Sequence, residues 1–252
     1  MSVIGRSFKQ RIIELAEEQL GKSPIPYCFL ALGSMGRDEQ LLVTDQDNAI
    51  ILDDTYDEAK HGKYFEALSK FICDGLDQCG YVYCTGDIMA TNPTWRMTRR
   101  EWEECFADWI DDPNPKALLN ASIFFDLDGV YGRLKWAEQL NSFIVRRARK
   151  NNRFLACLAR NALNRTPPLG FFKDFVMEKD GRHNNSINLK RRGTAPLADL
   201  IRVHSLAVGS RSKNSFERLD DIIDAGILPK GRAQDLKDAM EFISLVLSLI
   251  HI

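Results

Sequence analysis

Apolar residues recur at helical spacing at Ile12, Ile13, Leu15, Ala16 and Leu20, and Gly21 follows. This pattern predicts an amphipathic helix over Phe8–Leu20 that stops at the glycine. Ser23-Pro24-Ile25-Pro26 then reads as an extended connector. Tyr27–Leu32 is a continuous apolar run ending at a glycine, as expected of a buried strand. Gly33–Leu42 mixes glycine, charge and apolar residues, as a turn entering a short helix does. Asn48–Leu52 is a second strand. Tyr56–Cys79 returns to helical spacing, with Phe65, Leu68, Phe71, Ile72 and Leu76 on one face, and Tyr81–Cys84 is a third strand.

Asn92-Pro93 breaks the chain, and Thr98–Ile110 has the spacing of a helix. Asp111-Asp112-Pro113-Asn114-Pro115 is a linker or turn. Ser122–Leu127 fits a short strand or a helix end. Leu134–Asn164 fits one long helix or two, ended by Thr166-Pro167-Pro168, and a polar loop follows over Lys179–Asn188. From Pro196 onward the apolar spacing is helical in three segments. The fold class is therefore α/β (α+β): a front domain, residues 1–130, with a small sheet, and an all-helical domain, residues 131–252.

Composition adds an asymmetry. The whole chain carries 34 basic and 35 acidic residues, a net of −1, which argues against a general nucleic-acid surface. Residues 1–130 hold 12 Lys and Arg against 23 Asp and Glu, a net of −11, and residues 131–252 hold 22 against 12, a net of +10. Two regions with different partners are implied. The acidic half suits metal ions, and the basic half suits phosphates or an acidic partner. Six cysteines without a CxxC pair and only four histidines give no Cys/His zinc pattern. Cys28, Cys73 and Cys157 lie among apolar residues and read as core thiols. The longest apolar stretch, near Phe242–Ile252, is too short for a bilayer. A cytoplasmic protein without membrane contact is expected.

The chemistry concentrates in Gly33-Ser34-Met35-Gly36-Arg37-Asp38-Glu39-Gln40 and in Asp45-Gln46-Asp47. Glycines after a buried strand let the backbone approach a ligand, and free amides at a helix start suit phosphate. Neither a Walker loop nor a GxGxxG fingerprint is present. Residues i and i+2 of a strand share a face, so Asp45 and Asp47 put two carboxylates side by side. Such a pair next to a phosphate turn suits Mg²⁺, which is held by one or two carboxylates and substrate phosphates. Arg37 could pair with phosphate, or with Asp38 or Glu39.

Gly-Ser, a short spacer and Asp-x-Asp before an apolar strand resemble the active-site signature of the DNA polymerase β-type nucleotidyltransferase superfamily. The longer run ALGSMGRDEQLLVTDQDNAIIL is similar to the signal-transduction nucleotidyltransferases. Those proteins resemble the catalytic domain of PII-protein uridylyltransferase and are usually linked to CBS or cyclic-nucleotide-binding domains. Gly86–Trp95, Ile123–Gly132, Ile187–Leu200 and Asn214–Leu228 extend the likeness over nearly the whole chain.

The resemblance implies a polymerase β-type domain with a small mixed sheet, then a helical substrate-binding-like domain. It implies that Asp45 and Asp47 hold Mg²⁺ or Mn²⁺, and that Gly33 and Ser34, with Arg37 assisting, bind a nucleoside triphosphate. A nucleoside monophosphate would pass to a hydroxyl of a protein or small-molecule acceptor, in signal transduction. CBS or cyclic-nucleotide sensor domains, fused or separate, are implied partners. The superfamily usually adds a third carboxylate from a later strand. By order along the chain it is Asp87, or else Asp126. The family's Phe-Phe-Asp-x-Arg stands here as Phe124-Phe125-Asp126-Leu127-Asp128, an acid in place of a base. A regulatory nucleotide-binding module with little catalysis and an interaction scaffold are the alternative classes.

In the back half, Arg146, Lys150 and Arg153 share one helix face at i, i+4 and i+7. Positive charge there could face a triphosphate or remain solvated.

Overall fold

Tyr27–Ala31 (β1) is buried at every position and forms an inner strand of a four-stranded sheet. In the computed structural model, which describes residues 2–40, 44–164, 178–179, 184–186 and 188–250, β1 pairs antiparallel with Asn48–Leu52 (β3). On its other side it pairs antiparallel with Asp128–Gly132 (β6). Arg96–Thr98 (β5) adds a parallel edge beside β3, so the sheet is mixed, in the order β5-β3-β1-β6. A separate two-stranded parallel ribbon joins Thr44–Gln46 (β2) to Tyr81–Tyr83 (β4).

Both faces of β1 are covered. Tyr27, Phe29 and Ala31 pack with Ile12, Ile13 and Ala16 of Ser2–Leu20 (α1) and with Phe65, Leu68, Ile72 and Leu76 of Glu58–Gln78 (α3). The side chains between them point the other way. There a Cβ on Gly129 would lie 3.2 Å from both Cys28 Sγ and Ala137 of Leu134–Ala148 (α6). Arg99–Asp111 (α4) is anchored to the sheet by Trp102, whose ring N–H donates to the Ile50 carbonyl at 3.0 Å. Trp102 also packs against Phe124, the last residue of Pro115–Phe124 (α5).

The helix at the amino end begins earlier than its apolar pattern indicates, at Ser2. Arg6 explains part of this: it is ion-paired with Asp128 and donates to the Gly129 carbonyl at 2.9 Å, so a polar turn is held by tertiary contacts. The proline-rich turn at Asp111–Pro115 leads directly into α5, with Asn114 capping the Ala117 amide at 3.0 Å and Pro115 in the first helical turn, where its missing N–H costs nothing. Ser122–Leu127 is accordingly a helix end. Leu134–Asn164 is two helices, because Asn151 caps the Phe154 amide at 2.9 Å and starts Asn152–Leu163 (α7). That break corrects the continuous face drawn through Arg146, Lys150 and Arg153.

The chain divides into two compact units, residues 1–147 and 148–252. The first is the α/β unit. The second contains α7, the short paired strands Glu178–Lys179 (β7) and Asn184–Ser186 (β8), a π-helical turn at Lys190–Thr194, and three further helices. These are Ala195–Val208 (α8), Ser215–Asp224 (α9) and Lys230–Ile250 (α10). Ile201, Leu219, Ile222 and Met240 form its core, beside a buried Asp199–Arg202 ion pair at 2.5 Å. Leu41–Val43, Arg165–Pro168, His183 and Ile187 lie outside the described residues. Among the described residues no helix is long and apolar enough to cross a membrane.

Candidate active site

The five residues Thr44–Asn48 alternate strictly in burial. Thr44, Gln46 and Asn48 are buried, and Asp45 and Asp47 between them are half-buried. The inward amides fix the roll of the strand. Gln46 Nε2 donates to the carbonyls of Cys73 and Tyr81, each at 3.0 Å. Asn48 Nδ2 donates to Gln46 Oε1 at 3.2 Å, and Asn48 Oδ1 accepts from the Ala90 amide at 2.7 Å and from the Cys73 thiol at 3.6 Å. With those side chains committed to the interior, Asp45 and Asp47 are turned together to the opposite face.

A third donor joins them. Parallel pairing sets Thr44, Asp45 and Gln46 beside Tyr81, Val82 and Tyr83, and the next step brings Cys84 beside Asp47. One carboxylate oxygen from each aspartate and the Cys84 sulfur all lie within 4.8 Å of one another. The Cys84 thiol lies beside the Asp47 carboxylate. Burial first, and then the Asp47 charge, push it up to about 11. Sequence reasoning missed Cys84. The available signal was the register of two strands separated by a long helix.

The glycine turn closes against the same carboxylate. Gly33–Gly36 (α2) is a single helical turn directly after β1. Gly33 has φ +57°, and a Cβ there would stand 3.2 Å from Asp47 Oδ2. The Leu32 amide donates to the Asp47 carbonyl at 3.0 Å, so turn and aspartate strand are joined through the main chain. A Cβ on Gly36 would fall 2.0 Å from the carbonyl oxygen of Asp126, which only glycine permits. Ser34 is half-buried in this turn.

Arg37 is an anchor of the turn. Its Nε donates to Glu39 at 2.7 Å and a terminal nitrogen donates to Asp126 at 2.5 Å, with side-chain exposures of 12% for Arg37 and 0% for Asp126. The pairing with Glu39 is one of the alternatives the sequence left open, and the pairing with Asp126 is additional. Asp87 is exposed with φ +56°. Its carboxylate accepts from Asn92 at 2.9 Å, and it stands outside the group of Asp45, Asp47 and Cys84. In the basic region, Arg147 is ion-paired with Asp111, both substantially exposed.

The arrangement can bind a cation. Two like-charged carboxylates this close repel one another, and a divalent ion relieves that repulsion. Oxygen donors suit Mg²⁺ or Mn²⁺, and the missing side chain at Gly33 leaves open the space against Asp47.

Comparison with known families places these features in context. A family described as "Putative nucleotidyltransferase DUF294" matches residues 1–116. A second, described as "Putative nucleotidyltransferase substrate binding domain", matches residues 152–251. No curated protein matches the chain.

Proposed function

This chain belongs to the nucleotidyltransferase family that the two matches describe, and from that premise we propose that it moves a nucleoside monophosphate from a nucleoside triphosphate to a hydroxyl of a protein or small-molecule acceptor. The observation that carries this reading is the convergence of Asp45 and Asp47 beside the Gly33 turn. The two aspartates hold Mg²⁺ or Mn²⁺, which when bound offsets charge on the triphosphate and orients it. Gly33 leaves room for phosphate next to Asp47, and the half-buried Ser34 lies in the same turn. Arg37 fixes that turn through Glu39 and Asp126.

In the transfer itself the acceptor oxygen attacks the α-phosphorus. The bond from that phosphorus to the bridging oxygen breaks, and pyrophosphate leaves. The hydroxyl proton passes to a base or to water. Of the two later carboxylates, Asp126 is sealed against Arg37, which leaves the exposed Asp87 as the residue assigned to the acceptor side. The unit at 148–252 presents the acceptor. A place in signal transduction, as in PII uridylyltransferase-like proteins with CBS or cyclic-nucleotide sensors, completes the reading.

A catalytically weak nucleotide-binding module is the second reading, favoured by the position of Asp87 outside the cluster. One experiment separates the two. Thermal stabilisation by ATP, UTP, CTP and GTP is measured with and without Mg²⁺ or Mn²⁺, alongside pyrophosphate release. A ligand that binds only the folded state raises its stability. The expected result is a metal-dependent shift and pyrophosphate release, both lost in Asp45→Asn/Asp47→Asn. A shift without release in the presence of acceptor-rich lysate favours the second reading. Undiminished release by the double variant rules out the first.

A further inference from the structure

The three donors at the end of the ribbon differ in chemical character, two oxygens and one sulfur. We infer that Cys84 is the third protein ligand of the cation held by Asp45 and Asp47, and that the site therefore favours Mn²⁺, Co²⁺ or Zn²⁺ over Mg²⁺. This inference rests on the reading that the two aspartates form a metal pair.

Backbone register carries the sulfur to its place. Cys84 directly follows β4, which pairs with the strand bearing Asp45, so the thiol and the carboxylates emerge from neighbouring parallel chains. Gln46 and Asn48 lock the aspartate strand by five side-chain hydrogen bonds, and the Cys84 amide is directed to the Met89 sulfur at 3.4 Å. Both chains are thus set before any ion arrives.

The spacing suits one ion. Ligands at about 2.1 Å for oxygen and about 2.3 Å for sulfur lie at most about 4.4 Å apart across a single metal. Three donors cannot all stand opposite one another, so around one tetrahedral ion they lie about 3.5 Å apart, and the observed donors, within 4.8 Å of one another, close on it with side-chain shifts of up to about 1 Å. The sulfur already lies beside the Asp47 carboxylate. On ligation the S–H bond is exchanged for a sulfur–metal bond, the proton passes to solvent, and Asp47 shares the ion with the sulfur. Mg²⁺ takes oxygen ligands and keeps its waters, so it gains little from sulfur. Zn²⁺ and Co²⁺ accept thiolate readily, and Mn²⁺ lies between.

Cobalt tests this in the full chain. Co²⁺ is titrated while heat of binding and the thiolate-to-cobalt charge-transfer absorption are recorded together. The expected result is one ion bound with a charge-transfer band that disappears in Cys84→Ser, while the other five cysteines remain as internal controls. Cys84→Asp, an all-oxygen set, should lower the preference for Mn²⁺ over Mg²⁺ by about tenfold or more, since even outer-shell changes cost about 10–100-fold in metal affinity. Binding that is abolished by Asp45→Asn/Asp47→Asn but carries no band overturns the role of Cys84 and leaves the metal pair standing. A band that persists in Cys84→Ser likewise overturns it. Absence of any binding that depends on the two aspartates overturns the metal pair and the inference together.

Discussion

Gly33 and Asp47 border one narrow gap: a Cβ on Gly33 would stand 3.2 Å from Asp47 Oδ2, and Gly33 holds φ +57°. Gly33→Ala therefore meets two penalties. The left-handed backbone costs a side chain about 1–2 kcal/mol, and the added methyl presses on the carboxylate. Denaturant unfolding should show a loss of that size. Metal-dependent nucleotide binding should fall further than stability does, because Asp47 is displaced.

Arg37 and Asp126 form a buried ion pair 89 residues apart in sequence. Arg37→Met removes the cation beside a fully buried carboxylate, and breaking such a pair costs about 3–5 kcal/mol. Arg37→Met/Asp126→Leu should recover most of the loss in urea unfolding. If both variants unfold alike, the carboxylate is not the source of the penalty.

Lys9 is buried, with its ammonium donating to Gln40 at 3.3 Å, and burial first, then Arg6, lower it from 10.5 to about 8. Between about pH 8 and 10.5 the folded state holds this proton less often than the unfolded state does. Stability contributed by this group therefore rises with pH through that window, and the penalty is fully present below pH 8. Lys9→Met should be more stable than the parent at pH 7, and the advantage should shrink as pH climbs. Melting temperatures of the pair across that range check the sign.

Asn48 touches neither carboxylate of the site, yet it holds the Ala90 amide and Gln46. Asn48→Leu leaves those buried groups without their partner, at about 1–3 kcal/mol for each. Calorimetry should show both reduced stability and weakened metal-dependent nucleotide binding. Unchanged binding would mean that Asp45 and Asp47 are positioned without this network.

Much of the architecture can be read from local pattern. The strands at 27–31 and 48–52 are continuous apolar runs, and the helix at 58–78 keeps one apolar face, so each declares itself within its own residues. The edge strands do not. Arg96-Met97-Thr98 and Asp128–Gly132 have little apolar alternation, and they become strands because β3 and β1 offer unpaired edges. The same division holds at the site. Period-two spacing puts Asp45 and Asp47 on one face from sequence alone. The approach of Cys84 depends on strand register across α3, and the Arg37–Asp126 pair depends on tertiary closure.

The ribbon of β2 and β4 has one more consequence. It is three residue pairs long, stands apart from the four-stranded sheet, and exposes Val82 and Tyr83. Regions with few buried apolar contacts open locally at far less free energy than the whole domain. Heat or protease should therefore reach the carboxylates while the core around Phe29 and Phe65 is intact. How long the site survives is then set by the six residues of the ribbon and the Gln46 hydrogen bond that fastens them to α3, and a melting temperature reported by the tryptophans overstates it.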